Sequence, residues 1–159
     1  MELYLLRHGI AEDRAASGRD ADRALTEEGK RKLEKVLKRA RKAGVAPALI
    51  LSSPLLRAME TARMAAGELG CKSAIVRCDA LLPDSTPRDA WSEIRAHGDE
   101  PSLLLTGHEP LFSHTAAWLL GSTRAMVDFR KGALLCIECA SMGPEPRGVL
   151  QWMLTPKVC

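Results

Sequence analysis

Residues 3–12 read LYLLRHGIAE, an apolar run that ends in Arg7, His8 and Gly9. Residues 102–110, SLLLTGHEP, end in a similar way, with His108 beside Gly107. Between them SSPLLR, 52–57, leads from a further apolar run to Arg57. An arginine fork matches phosphate oxygens two at a time and stays charged at any relevant pH. Two arginines and two histidines, if gathered, suit a phosphoryl group. Paired histidines also bind metals, but these two have arginines for neighbours rather than carboxylates, and positive charge repels a cation. Neither a metal nor a cofactor is expected.

Gathering them is a task for the elements. The apolar runs at 2–7, 48–52, 73–78 (SAIVRC) and 102–106 read as strands, separated by helical patterns. Thr26 caps a helix with apolar positions Leu33, Val36, Leu37 and Ala40, closed by Gly44. Ser53-Pro54 and Thr86-Pro87 each look like a cap with proline at the first helical position, and Pro110 opens a last helix to about Leu120. The tail, ALLCIEC and GVLQWML around Gly143-Pro144-Glu145-Pro146, reads as a terminal hairpin. Strands spaced by helices imply a three-layer α/β/α sandwich with a mostly parallel central sheet. In such a sheet, ligands bind beyond the carboxyl ends of the strands, beside helix N-termini that favour anions.

Other features carry blander readings. Cys136 and Cys139 form a C-x-x-C inside a strand with no second Cys/His pair nearby, so packing is expected rather than zinc or redox chemistry. The basic helix at 30–42 reads as a solvated face, with docking of an acidic partner as the alternative. Trp91, Trp118 and Trp152 fall on apolar faces; His114 reads as a helix-face residue and His97 as a partner for a helix C-terminus. Length (159 residues) suits a single domain, 1–159, with 46% hydrophobic and 27% charged residues. A net charge of +3 and 4% aromatics argue against nucleic acid. No signal peptide or membrane-spanning run is visible, and five irregularly spaced cysteines suggest no disulfide framework, so a cytoplasmic monomer is the expectation.

LYLLRHGIAE, DRALTEEG, SSPLLRAMETA and LLLTGHEP, in that order across residues 3 to about 120, resemble the histidine phosphatase superfamily, whose fold is phosphoglycerate mutase-like. The short length and the TGHEP form look most like SixA-type phosphohistidine phosphatases. That resemblance implies that His8 accepts the phosphoryl group while Arg7, Arg57 and a protonated His108 hold it. Ser17 and Gly18 are edge contacts in the loop after His8. Arg23 and Thr26, within D-x-x-R-x-L-T, are mainly architectural.

The departure is the general acid. Larger relatives draw it from a long insertion that caps the site; here the stretch between the third and fourth strands is short. Asp84 and Glu109 are the candidates, although Glu109 is equally a cap for the helix at Pro110. Phosphohistidine asks less of an acid, because its P–N bond is labile once the departing imidazole is protonated. An open site also suits a protein side chain better than a small metabolite. The expected substrate is therefore a phosphoprotein, such as a histidine-containing phosphorelay domain. The alternatives are a phosphomonoesterase for a small metabolite and a non-catalytic phosphate-binding adaptor.

Overall fold

Glu2–Arg7 forms the inner strand, β1, of a six-stranded sheet in the computed structural model, which describes residues 1–122 and 124–159. The other strands are Leu49–Ser52 (β2), Val76–Arg77 (β3), Ser102–Gly107 (β4), Leu134–Cys139 (β5) and Gly148–Leu154 (β6). Their order is β3-β2-β4-β1-β5-β6. The first four run parallel, and β5 and β6 add an antiparallel hairpin beside β1.

Alternate residues of each inner strand enter opposite cores. Leu3, Leu5, Leu103 and Leu105 pack with Trp91 and Ile94 of helix α3 (Pro87–Ala96) and with Phe112 of α4 (Leu111–Leu119). Tyr4, Leu6, Ile50 and Leu104 face Leu33, Val36 and Leu37 of α1 (Glu27–Lys42) and Ala62 and Ala65 of α2 (Leu56–Leu69). Burial on both faces is why these strands read as continuous apolar runs. The result is the three-layer α/β/α sandwich.

Thr26 caps α1 by accepting the Gly29 N–H at 3.0 Å, and Thr86 and Asp89 form a reciprocal capping box on α3. Helix α2 departs from expectation. Its cap position is Leu55 rather than Ser53, and no side chain caps it. The Ser53 hydroxyl is committed elsewhere, to His108. Strand β3 is also shorter than SAIVRC, since the four-residue β2 offers it only Leu51 and Ser52 as partners.

Cys136 and Cys139 sit in the two different cores, on opposite faces of β5. That placement rules out a shared zinc or a disulfide, and burial pushes their thiols up to about 12 and about 11. On α1, Lys30, Lys32 and Lys38 pair with Glu27, Glu28 and Glu34 along the exposed face. Among the described residues no helix is long and apolar enough to cross a membrane.

Candidate active site

Strand register delivers the residues. Arg7 lies opposite Gly107, and Ser52 opposite Thr106. The ladders run one step further: His8 N–H donates to Gly107 O and Ser53 N–H to Thr106 O, both at 3.0 Å. His8, Ser53 and His108 therefore leave the sheet at one edge, where the first turn of α2 adds Arg57. The ring centroids of His8 and His108 are 5.0 Å apart. A side chain at Gly107 would meet the Phe112 ring at 2.6 Å, so glycine lets β4 turn directly beneath α4. Arg7, His8, Arg57 and His108 line one cavity of about 250 Å³. Arg23, Pro83, Glu109 and Lys131 complete it.

His8 is oriented by its own loop. Its Nδ1 lies 2.7 Å from Gly9 O, so Nδ1 holds the proton and donates it, and Nε2 keeps its lone pair. Gly9 N–H donates to Thr61 Oγ1 at 3.2 Å, and that hydroxyl donates to Arg57 O at 2.7 Å, fastening the loop to α2. Burial, aided by Arg57 and Arg7 and opposed by the bond to Gly9, lowers the His8 pKa to about 4. The free nucleophile is neutral at pH 7.

His108, only 2% exposed, places Nε2 at 2.8 Å from Ser53 Oγ. Ser53 Oγ also accepts the Leu55 N–H at 3.4 Å, and its hydroxyl can either donate to His108 Nε2 or accept from it. Burial, then the neighbouring His8 and Arg57, lower the His108 pKa to about 3. The free site thus keeps His108 neutral, whereas the expected protonated form belongs to the site holding a phosphoryl group, since an anion beside the ring favours its charged form.

Arg57, 5% exposed, donates from Nη1 to Asp20 O at 3.0 Å and from Nη2 to Asp20 Oδ2 at 3.1 Å. Asp20 begins a 3-10 turn, Asp20–Asp22, and also accepts from Arg23 Nη1 at 2.8 Å. Arg7 donates from Nη1 to Phe129 O at 2.6 Å. Its Nε, like His108 Nδ1, is buried with no hydrogen-bond partner among the described residues.

The remaining candidates divide. Glu109 lines the cavity, but its Oε1 accepts the Ser113 N–H at 2.9 Å within the first turn of α4, the capping role its position suggested. Asp84 is exposed and outside the lining, although its neighbour Pro83 is in it. Ser17 is turned to Asp22, donating to Oδ2 at 2.8 Å, and Gly18 forms a turn with φ +75°; neither lines the cavity. Asp20, Ser53 and Lys131 belong to the site without having been singled out for it. Asp20 opens D-x-x-R-x-L-T and Ser53 was read as a cap, whereas nothing local marks Lys131.

A neutral imidazole with a free lone pair, ringed by guanidinium groups, can attack phosphorus and hold the transferring charge. No three His, Cys, Asp or Glu side chains gather as metal ligands would among the described residues.

Residues 3–81 match the family model of the histidine phosphatase superfamily, branch 1. An uncharacterized protein of Picosynechococcus sp. is 36% identical over 137 residues, 85% of this chain and 83% of its own. The structure of the protein histidine phosphatase SixA complexed with tungstate superposes with a TM-score of 0.87 at 25% identity, over 99% of this chain and 98% of that one. A protein of Agrobacterium tumefaciens, provisionally described as the phosphohistidine phosphatase SixA, gives 0.80 at 26% identity over 98% of both chains. The shared architecture is the phosphoglycerate mutase-like fold.

Proposed function

This chain belongs to the histidine phosphatase superfamily and is a phosphatase, and from that premise we propose that it removes the phosphoryl group from phosphohistidine on a protein. The observation that carries the reading is a pair of buried nitrogens without hydrogen-bond partners. Arg7 Nε and His108 Nδ1 are buried, lack partners among the described residues and belong to residues lining the cavity that holds His8. A phosphoryl oxygen supplies what each lacks, and a buried donor left unpaired costs about 1–3 kcal/mol.

In this reading His8 Nε2 attacks phosphorus while its proton stays on Nδ1, hydrogen-bonded to Gly9 O. The Nε2–P bond forms as the P–N bond to the substrate imidazole breaks. That imidazole, already protonated on its other nitrogen, departs neutral and needs no proton from the enzyme. Arg7, His108 and the N–H groups of Arg57 that Asp20 leaves free hold the equatorial oxygens. Water then attacks phospho-His8, releasing inorganic phosphate and restoring the neutral ring.

A metabolite phosphomonoesterase would need a proton for its alkoxide. Glu109 is the one carboxylic group in the cavity lining, which keeps this second reading in play. The test compares a phosphohistidine peptide, an aryl phosphate and 3-phosphoglycerate, with wild type, Glu109→Gln and Asp84→Asn. The expected order puts the phosphohistidine peptide ahead by about 10² or more, the size of effect a general acid would supply to an ester, and leaves it indifferent to either amide. Fast 3-phosphoglycerate hydrolysis that collapses in Glu109→Gln would establish the second reading instead.

A further inference from the structure

Beside the catalytic cavity lies a larger groove of about 620 Å³ that shares Arg7 and Lys131 with it. Lys32 of α1, Arg130 in the loop before β5 and Lys157 beyond β6 add their charges, so five cations face a single carboxylate, Asp128. The whole chain carries a net charge of only +3, so this concentration is local. Two of these cations already hold carboxylates: Lys32 Nζ meets Glu28 at 2.6 Å and Arg130 Nε meets Asp128 at 2.7 Å. Lys131 and Lys157 form no ion pair among the described residues. Both are exposed, as are Lys32 and Arg130.

Ile10 and Pro156 also line the groove, and lysine and arginine stems are themselves apolar. Cations spread along a partly apolar trough fit an extended segment bearing several carboxylates better than a compact polyphosphate. Because the groove opens off the cavity at Arg7 and Lys131, a segment lying in it is continuous with the phosphorylated residue.

We infer that this groove selects substrates by docking an acidic segment adjoining the phosphorylated residue of a protein. The inference rests on the phosphoprotein reading and adds a specificity surface to it. Exposed charge pairs contribute little individually, so the groove acts mainly by steering encounter, and its effect is sensitive to salt.

The test uses two phosphohistidine peptides that differ only in an Asp/Glu-rich or a Gly/Ser-rich flank, a phosphoserine peptide with the acidic flank, and an aryl phosphate. Each is assayed with wild type and with the Arg130→Glu/Lys157→Glu double variant, neither residue lining the catalytic cavity. Wild type should favour the acidic phosphohistidine peptide about tenfold in kcat/KM at low salt. That advantage should fade by about 0.5 M NaCl and vanish in the double variant, with aryl phosphate turnover unchanged. Peptide binding to His8→Ala, followed by fluorescence anisotropy, should give the same ranking without turnover. Equal rates and equal binding for the two flanks would overturn the groove while leaving phosphohistidine specificity standing. Preference for the acidic phosphoserine peptide over both phosphohistidine peptides would do the reverse. Tripolyphosphate displacing the acidic peptide at lower concentration than an unphosphorylated acidic peptide does would assign the groove to a compact anion and sink the inference.

Discussion

Ser53 occupies a position where sequence points to a helix cap, yet its hydroxyl is spent on His108 Nε2 at 2.8 Å, with both side chains buried. With the hydroxyl donating to Nε2, the ring proton of neutral His108 sits on Nδ1, where it can reach a phosphoryl oxygen. Ser53→Ala leaves Nε2 without a partner in a site where Nδ1 already has none. The expected result is a fall in kcat of about tenfold or more with little change in KM, since the lost order matters most when charge develops. Stability should drop by about 1–3 kcal/mol, the cost of an unsatisfied buried group. Nitrogen-15 NMR of the His108 ring gives the separating readout: the Nδ1–H tautomer dominates in wild type and becomes mixed in Ser53→Ala. An unchanged tautomer with unchanged kcat would mean that Ser53 merely fills space.

Helix α1 and the loop after His8 meet backbone to backbone at Gly29. A Cβ there would strike the carbonyl oxygen of Ile10, which also accepts the Thr26 N–H at 2.9 Å. Gly29→Ala must therefore push apart the cap of α1 and the His8–Ile10 turn. Overpacking of this kind costs about 1–3 kcal/mol, and because the displaced turn holds Gly9 O against His8, aryl phosphate turnover should fall with the melting temperature. A variant that loses stability but keeps full turnover would show that the turn is anchored by Thr61 alone. The same elements show what can be read from residues and what cannot. Strands β1, β2 and β4 are legible because burial on both faces demands unbroken apolar runs, and α1 and α3 because their caps are local. The convergence of Arg7, His8, Arg57 and His108 follows once the strands are parallel. The start of α2 is not legible, since a serine before a proline looks the same whether it caps a helix or orients a histidine. Nor is the cationic groove: Lys131 and Lys157 lie far from Lys32 in sequence, and only the packing of the hairpin beside β1 brings them together.

Over the whole molecule, folding encloses two neutral imidazoles among guanidinium groups, and this sets how stability depends on pH. In the unfolded chain each histidine titrates near about 6.5. In the folded protein His8 does so at about 4 and His108 at about 3. Below about pH 6.5 the unfolded state therefore binds protons that the folded state refuses, and stability rises with pH through this window. The contribution is fully present above about pH 6.5 and is lost as pH falls towards 4 and then 3, at up to about 1.4 kcal/mol per pH unit for each histidine. Carboxylates with lowered pKa values, such as Asp20, add their own loss only below about pH 4. Urea unfolding at pH values of about 7, 6 and 5 isolates the histidine part, and His8→Ala should flatten the slope by roughly one histidine's share. Saturating inorganic phosphate should reduce the loss further, because an anion between Arg7 and Arg57 lets the imidazoles accept protons while folded. Identical slopes in wild type and His8→Ala would show that the buried ring at position 8 is protonated as readily as a free one, and the neutral nucleophile would lose its physical basis.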